Sequence, residues 1–233
     1  MTITTAAAAR THIGHVRKRN EDAVYAGRSL FAVADGMGGH VAGDVASNTV
    51  MQVVRTYDRE VPAGELADVA GDAVAAAGAA LRARVETEPG LVSMGTTLVA
   101  LWRSGMDGVL VNVGDSRGYL LRDGQMAQIT EDHIYGNLVA DAASVPSLSE
   151  RLTRYLDAHS NGRSADITRM ELRPADRFLL CTDGLTGPVS ADLIRDVLAE
   201  VKDPEEAAEQ LVTLALEHGG PDNITTLVLD IRV

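Results

Sequence analysis

Residues 31–40 read Phe31-Ala-Val-Ala-Asp-Gly-Met-Gly-Gly-His40. Four apolar residues suit a buried strand, which then meets a carboxylate and a run of glycine. Taken singly, an Asp-Gly step is an ordinary turn. The device recurs, however. Val109-Leu-Val-Asn-Val-Gly-Asp-Ser-Arg117 ends a strand at Asp115, and Phe178-Leu-Leu-Cys-Thr-Asp-Gly-Leu185 ends another at Asp183. Gly219-Gly-Pro-Asp-Asn-Ile-Thr-Thr-Leu-Val-Leu229 sets Asp222 just before a strand, and Asn20-Glu-Asp22 precedes an apolar stretch. Carboxylates repeated at such positions would crowd one rim of a packed sheet. Like charges there repel, raise one another's pKa and destabilise the fold. A divalent cation removes the conflict. A donor set of carboxylate, carbonyl and water, without Cys or clustered His, suits Mg²⁺ or Mn²⁺. Glycine after Asp35 also lets the backbone approach an ion and offer its carbonyl.

The totals set the frame. A chain of 233 residues with 45% hydrophobic content can bury a full core and fits one domain over 1–233. No apolar run approaches the roughly 20 residues that cross a bilayer, and the first residues lack the basic flank and greasy stretch of a secretory signal. Cys181 is the only cysteine, which excludes an internal disulfide and suits a reducing compartment. The expectation is a soluble cytoplasmic protein. With 33 acidic against 21 basic residues the net charge is −12, a field that repels nucleic acid and anionic membrane. It would repel an anionic substrate too, unless a bound cation reverses the sign locally.

Strands are expected at 31–34, 97–102, 109–113, 118–121, 126–129, 167–172, 177–181 and 224–233, with a hairpin turn at Arg122-Asp123-Gly124. Helical patterns cover 42–57, 65–86, 191–200 and 204–218. The last has clear ends: Asp203 as cap, Pro204 at the first helical position, Glu206 completing a capping box, and Gly219 after the final turn. Helices arriving in pairs between groups of hairpin-linked strands argue for antiparallel sheets flanked by helices, an α+β fold. Residues 131–165 have weak periodicity and read as an irregular surface excursion.

Seven motifs occurring in order, Val16-Arg-Lys-Arg-Asn-Glu-Asp22, Ala34-Asp-Gly-Met-Gly-Gly-His40, Met94-Gly-Thr-Thr97, Gly114-Asp-Ser-Arg117, Thr130-Glu-Asp-His133, Thr182-Asp-Gly-Leu185 and Gly220-Pro-Asp-Asn-Ile-Thr225, resemble the bacterial form of the metal-dependent PPM (PP2C-type) serine/threonine phosphatases. The motifs run from Val16 to Thr225 within a resemblance that extends over residues 11 to 229, and the chain most resembles a stand-alone soluble catalytic domain. The resemblance implies two stacked antiparallel β-sheets flanked on each side by a pair of antiparallel helices. It implies that Asp35 bridges two metal ions, that Asp183 and Asp222 complete one of them, and that the Gly36 carbonyl binds the other. Glu21 and Asp22 would hold metal-bound waters or ligate weakly, and Asn223 would act through water or from behind the ligands. Asp115 with Asp183 would form a third metal site, and residues 134–165 would be the family's flap, where only Leu152-Thr-Arg154 keeps the usual pattern.

The chemistry implied is hydrolysis of phosphoserine and phosphothreonine in proteins, in opposition to a serine/threonine kinase, by a monomer holding Mn²⁺ or Mg²⁺. Paired ions generate hydroxide near neutral pH, so no protein nucleophile is needed and Cys181 reads as a strand-core residue. Arg17, five residues before Asp22 as in the family motif, is the candidate for the phosphate, because its planar fork matches two oxygens. The general acid is open. Animal members carry histidine where Met37 stands, a thioether cannot donate a proton, and His40 is the nearest candidate. His133 and His218 read as structural, and His12 stands where the family usually has aspartate. Two other readings compete: a binding module that keeps the fold, and a phosphatase dedicated to one regulatory protein. A nucleotide-binding loop at Gly36-Met-Gly-Gly39 is a poor fit, since the Gly-Lys-Ser/Thr ending is missing and an Asp stands where phosphate would need amides and cations.

Overall fold

The computed structural model describes residues 3–38, 42–138, 149–159 and 165–232. The strands are β1 (Thr4–His12), β2 (Asp22–Ala26), β3 (Leu30–Met37), β4 (Gly95–Thr96), β5 (Leu98–Ser104), β6 (Asp107–Val113), β7 (Arg117–Arg122), β8 (Gln125–Gln128), β9 (Leu156–Asp157), β10 (Asp166–Glu171), β11 (Arg177–Cys181) and β12 (Ile224–Arg232). The helices are α1 (Ala42–Val54), α2 (Leu66–Thr87), α3 (Asp183–Thr186), α4 (Ala191–Glu200) and α5 (Pro204–Glu217). One sheet has the order β1-β12-β11-β7-β8. The other runs β10-β6-β5-β3, with β2 on the far edge of β3 and β4 and β9 extending its rim. The pairings are antiparallel throughout.

Period-two patterning sorts these strands into layers. Leu30, Ala32 and Ala34 point to α1 and α2, where they join Val50, Val74 and Leu81. Phe31 and Val33 point the other way, against Phe178, Leu180, Leu227 and Leu229 of the second sheet. On the outer face of that sheet, Leu179, Cys181 and Val228 meet Ile194, Leu198 and Leu211 of α4 and α5. The result is the expected helix–sheet–sheet–helix stack. No helix among the described residues is long and apolar enough to cross a membrane.

The expected helices and strands are present with small shifts, and the hairpin at Asp123 (φ +52°) and Gly124 (φ +77°) has the paired left-handed residues of a type I′ turn. Asp203 caps α5 by accepting from the N–H groups of Glu205 (2.8 Å) and Glu206 (3.1 Å). Glu206 does not reach back as a capping box would; its carboxylate accepts from Gln210. α1 ends at Val54 and tightens into a 3₁₀ turn, Arg55–Tyr57. β3 does not stop before Asp35. It continues through Gly36 and Met37, which pair with Thr96 and Gly95, because glycine tolerates the close pairing that the rim requires. β1, β2, the two-residue β4 and β9 and the one-turn α3 are additions to the expected elements; the alanines of β1 carry little strand preference, and its nine residues are held by full pairing with β12.

Candidate metal centre

The aspartates reach one pocket from both sheets. Asp35 lies near the end of β3, Asp115 in the turn after β6, Asp183 at the first residue of α3, and Asp222 just ahead of β12. All four line a pocket of about 590 Å³, together with Glu21 and Arg17. Asp183 and Asp222 come close because β11 and β12 are hydrogen-bonded neighbours. Glycine sets the spacing: a Cβ on Gly184 would lie 1.8 Å from the Asn223 carbonyl oxygen, and one on Gly36 would lie 2.1 Å from that of Gly43. Gly36 therefore serves packing against the start of α1 as well as access to the pocket.

Asp35 is fixed through its backbone. Its N–H donates to Thr97 Oγ1 (2.9 Å), and its carbonyl accepts from Thr97 N–H (2.9 Å) and Thr96 Oγ1 (2.8 Å). Thr97 Oγ1 also shares a hydrogen bond with Ser116 Oγ at 2.7 Å, joining the Asp35 strand to the Asp115 turn. Asp22 stands directly across from Asp35 in the β2–β3 ladder, a like-charge pairing that is destabilising by itself. Asp22 is not among the pocket-lining residues: it lies buried beneath them, its Oδ2 accepting from Thr182 Oγ1 (3.0 Å) and Thr225 Oγ1 (2.6 Å). Asn223 lines the pocket but its side chain holds the N-terminal loop, accepting from Glu21 N–H (2.8 Å) and donating to the carbonyls of Ile13 (2.9 Å) and Arg19 (2.8 Å). His12 serves that loop too, its Nδ1 accepting from Gly14 N–H at 2.9 Å.

The electrostatics follow from this crowding. Burial, then repulsion from Asp22 and Asp183, lifts the Asp35 carboxyl well above its usual range. Burial and Asp183 push Asp115 up to about 7. Asp22 is also raised to about 7 by burial, against the pull of its two threonine hydroxyls. Asp183 and Glu21 are raised for the same first reason. Among the described residues one cation bonds these pocket acids directly: Arg17 Nη2 donates to Asp222 Oδ2 at 2.5 Å, and its own pKa is raised mainly by that bond.

A hard divalent ion fits these residues. The donors are oxygen atoms only, and Asp183 Oδ1 and Asp22 Oδ1 are buried with no hydrogen-bond partner, which is costly without a compensating charge. Among the described residues no three His, Cys, Asp or Glu side chains are gathered closely enough to hold an ion by themselves; the carboxylates ring an open pocket, which leaves positions for water and substrate.

The structure thus brings together Asp35, Asp115, Asp183, Asp222, Glu21, Gly36, Asn223 and Arg17, and sets Asp22 below them. His40 lies outside the described residues. Met37 lines the pocket. Cys181 is buried, with its thiol pushed up to about 12 by burial, which suits a core residue and not a nucleophile. His218 closes α5, its ring bonded to the Leu214 carbonyl at 2.8 Å. The supporting hydroxyls of Thr97, Ser116, Thr182 and Thr225 carried no assignment from sequence. Their signal was adjacency: three of the four lie within the quoted motifs beside or opposite an aspartate, and Thr225 closes the last one.

Two facing antiparallel sheets with helices outside and a carboxylate pocket at their common rim define a metal-dependent phosphatase fold. The chain belongs to the protein phosphatase 2C family, whose sequence profile matches residues 10–217. It is 44% identical over 231 residues to the serine/threonine protein phosphatase PstP of Mycobacterium tuberculosis H37Rv, with 96% of this chain and 44% of PstP covered. The chain therefore spans less than half the length of that relative. The serine/threonine phosphatase stp of Listeria welshimeri is 33% identical over 244 residues, covering 95% of this chain and 94% of that protein. A crystal structure of the PstP catalytic domain in complex with two manganese ions matches with a TM-score of 0.92 and 44% identity, covering 100% of both chains.

Proposed function

We propose that this chain hydrolyses phosphoserine and phosphothreonine in proteins, using Mn²⁺ or Mg²⁺ held by Asp35, Gly36, Asp183 and Asp222, with a further ion beside Asp115. One observation carries the proposal: four aspartates from separate strand ends share a single pocket, and Asp183 Oδ1 is buried there without a partner. Membership of the protein phosphatase 2C family supports it, as does the two-manganese complex of the related PstP domain. When bound, the ions supply a nucleophilic hydroxide near neutral pH and neutralise phosphate charge.

The remaining roles fall to the chain's own groups. Arg17 takes the phosphate by exchanging its Asp222 partner for phosphate oxygens, which it binds as a planar fork. Lys18 and Arg19 line the same pocket and draw an anionic substrate into a protein of net charge −12. Glu21 and Asn223 keep the Arg17 loop in register with Asp222 through the Glu21 N–H bond. Asp22, held by Thr182 and Thr225, supports Asp35 from below. Proton delivery to the departing alkoxide is assigned to His40. The physiological setting proposed is a cytoplasmic monomer of one domain acting on the substrates of a serine/threonine kinase.

Phosphate release from a phosphothreonine peptide, measured with Mn²⁺, with Mg²⁺ and with chelator, tests this directly. Turnover that requires metal and is absent in Asp183→Asn is the expected result. Folded protein that is inert with every divalent ion would leave a binding module with a relic site.

A further inference from the structure

His133 is a second polar centre beside the pocket, only 3% exposed, and every hydrogen-bonding group it carries is engaged. Its backbone N–H donates to the Gly114 carbonyl at 3.0 Å, and its Nδ1 accepts from Gly114 N–H at 3.1 Å. One residue thereby satisfies both amide groups of the glycine that precedes Asp115. Its carbonyl accepts from Thr153 N–H at 2.8 Å, and its Nε2 meets Asp166 Oδ2 at 3.0 Å. Asp166, the first residue of β10, also receives Arg154 Nη1 on Oδ1 (2.7 Å) and Nη2 on Oδ2 (3.3 Å). Arg154 keeps that carboxyl below the usual range, so it is an anion facing the ring.

These contacts fix the ring's state. Nδ1 accepts, so the proton sits on Nε2 and donates to Asp166; protonating Nδ1 would break the Gly114 bond. The held turn has little freedom of its own. Gly114 has φ +106°, and a Cβ there would lie 2.5 Å from Thr97 Cγ2. Thr97 holds the same turn from the other side through Ser116 Oγ at 2.7 Å. The turn that presents Asp115 is therefore clamped between Thr97, which sits at the β4–β5 junction and hydrogen-bonds the Asp35 backbone, and His133, which belongs to the segment paired with residues 151–153 by the Tyr135 N–H to Arg151 carbonyl bond (2.8 Å) and the Ile134–Leu152 bridge.

We propose that His133 and Asp166 are positioning residues for Asp115: Asp166 orients the His133 ring, the ring holds Gly114, and Gly114 aims the Asp115 carboxyl into the pocket, with Arg154 anchoring Asp166. A residue behind a metal ligand, touching neither ion nor substrate, acts in this way by fixing the ligand's direction. The metal arm of the proposal rests on the phosphatase reading above; the hold on the turn does not.

The test uses the whole chain and two readouts. In chelated protein, amide hydrogen exchange at Gly114 should speed up about tenfold or more in Asp166→Ala and in His133→Gln, and stay close to wild type in Asp166→Asn, whose amide oxygen still accepts from Nε2. In a Mn²⁺ titration followed by electron paramagnetic resonance, Asp166→Ala should weaken the weakest site about tenfold and leave the tighter sites unchanged, with recovery in Asp166→Asn. A merely structural role would lower the melting temperature and weaken all sites together, and that result would overturn the proposal. So would unchanged Gly114 exchange in folded Asp166→Ala and His133→Gln. Wild-type protein that takes up no Mn²⁺ would overturn the metal reading, while Gly114 exchange would still decide the hold on the turn.

Discussion

The strands β11 and β12 have carboxylates at both ends, and the two ends treat them differently. At the end away from the pocket each acid has an arginine. Arg177 Nε and Nη2 grip Asp230 at 2.6 and 3.0 Å, while its nitrogens also take the carbonyls of Leu198, Val201 and Lys202 at the end of α4. Arg122 makes the same two-point grip on Asp176, at 2.7 and 2.6 Å. At the pocket end, Asp22, Asp35, Asp115, Asp183 and Asp222 face Arg17 alone among directly bonded cations, and two buried carboxylate oxygens are left without partners. A fold able to match acids with arginines at one end leaves them unmatched at the other. That missing positive charge is what the proposed metal ions would supply from solution.

The largest break in this contrast comes from Asp183→Asn. Phosphate release with Mn²⁺ should fall at least about a hundredfold. In chelator, however, a calorimetric melt should show the variant no less stable than wild type, because an amide relieves repulsion and burial of charge. A melt several degrees lower would move Asp183 into the same category as Asp230.

Arg177→Ala should do the opposite. Removing one partner of a buried pair leaves Asp230 uncompensated and strips the carbonyls at the end of α4, a loss of about 3–5 kcal/mol in urea unfolding. Turnover per folded molecule, assayed well below the new midpoint, should match wild type.

The pH response sharpens the same contrast. In the fold Asp22 and Asp115 keep their protons up to about 7, whereas in the unfolded chain such groups ionise near 4. Between those values the unfolded state binds fewer protons, so stability from these groups is greatest at the acid side and declines as pH rises. Chelated protein should therefore melt several degrees higher at pH 5 than at pH 7, and excess Mn²⁺ should flatten or reverse that slope, since metal replaces the protons. Asp166, whose pKa is lowered by Arg154, loses its contribution only below this window. A flat chelated profile from pH 5 to 7 would mean that the cluster is already neutralised from within.

How much of this was legible in the sequence depends on scale. Periodicity gave the four long helices and the central strands, because Phe31 and Val33 against Leu30, Ala32 and Ala34 alternate between two apolar surroundings. The recurrence of aspartate at strand ends gave the pocket. What was hidden is what pairing alone creates. β1 is alanine and threonine, and exists as a strand because β12 offers nine partners. Asp22 reads like its neighbour Glu21, yet the cross-strand register with Asp35 sends it under the pocket while Glu21 lines it. The hydroxyls that bind these acids and the path from Arg154 through Asp166 to His133 join positions far apart in the chain, which no local pattern records.

The smallest effect belongs to Arg17, and it separates the two kinds of arginine. Arg177 is a buried staple, its side chain 9% exposed; Arg17 is 52% exposed and bonds Asp222 at the surface of the pocket. Exposed pairs contribute about 0–1 kcal/mol, so Arg17→Ala should hardly change the melt. Its effect should instead appear in kinetics. If the guanidinium lets go of Asp222 to hold phosphate equally in the ground and transition states, KM should rise about tenfold while kcat changes by less than about threefold. Arg17→Lys should recover only part of this, since an ammonium keeps the charge and loses the fork. A fall in kcat with unchanged KM would instead place Arg17 on charge that develops only in the transition state.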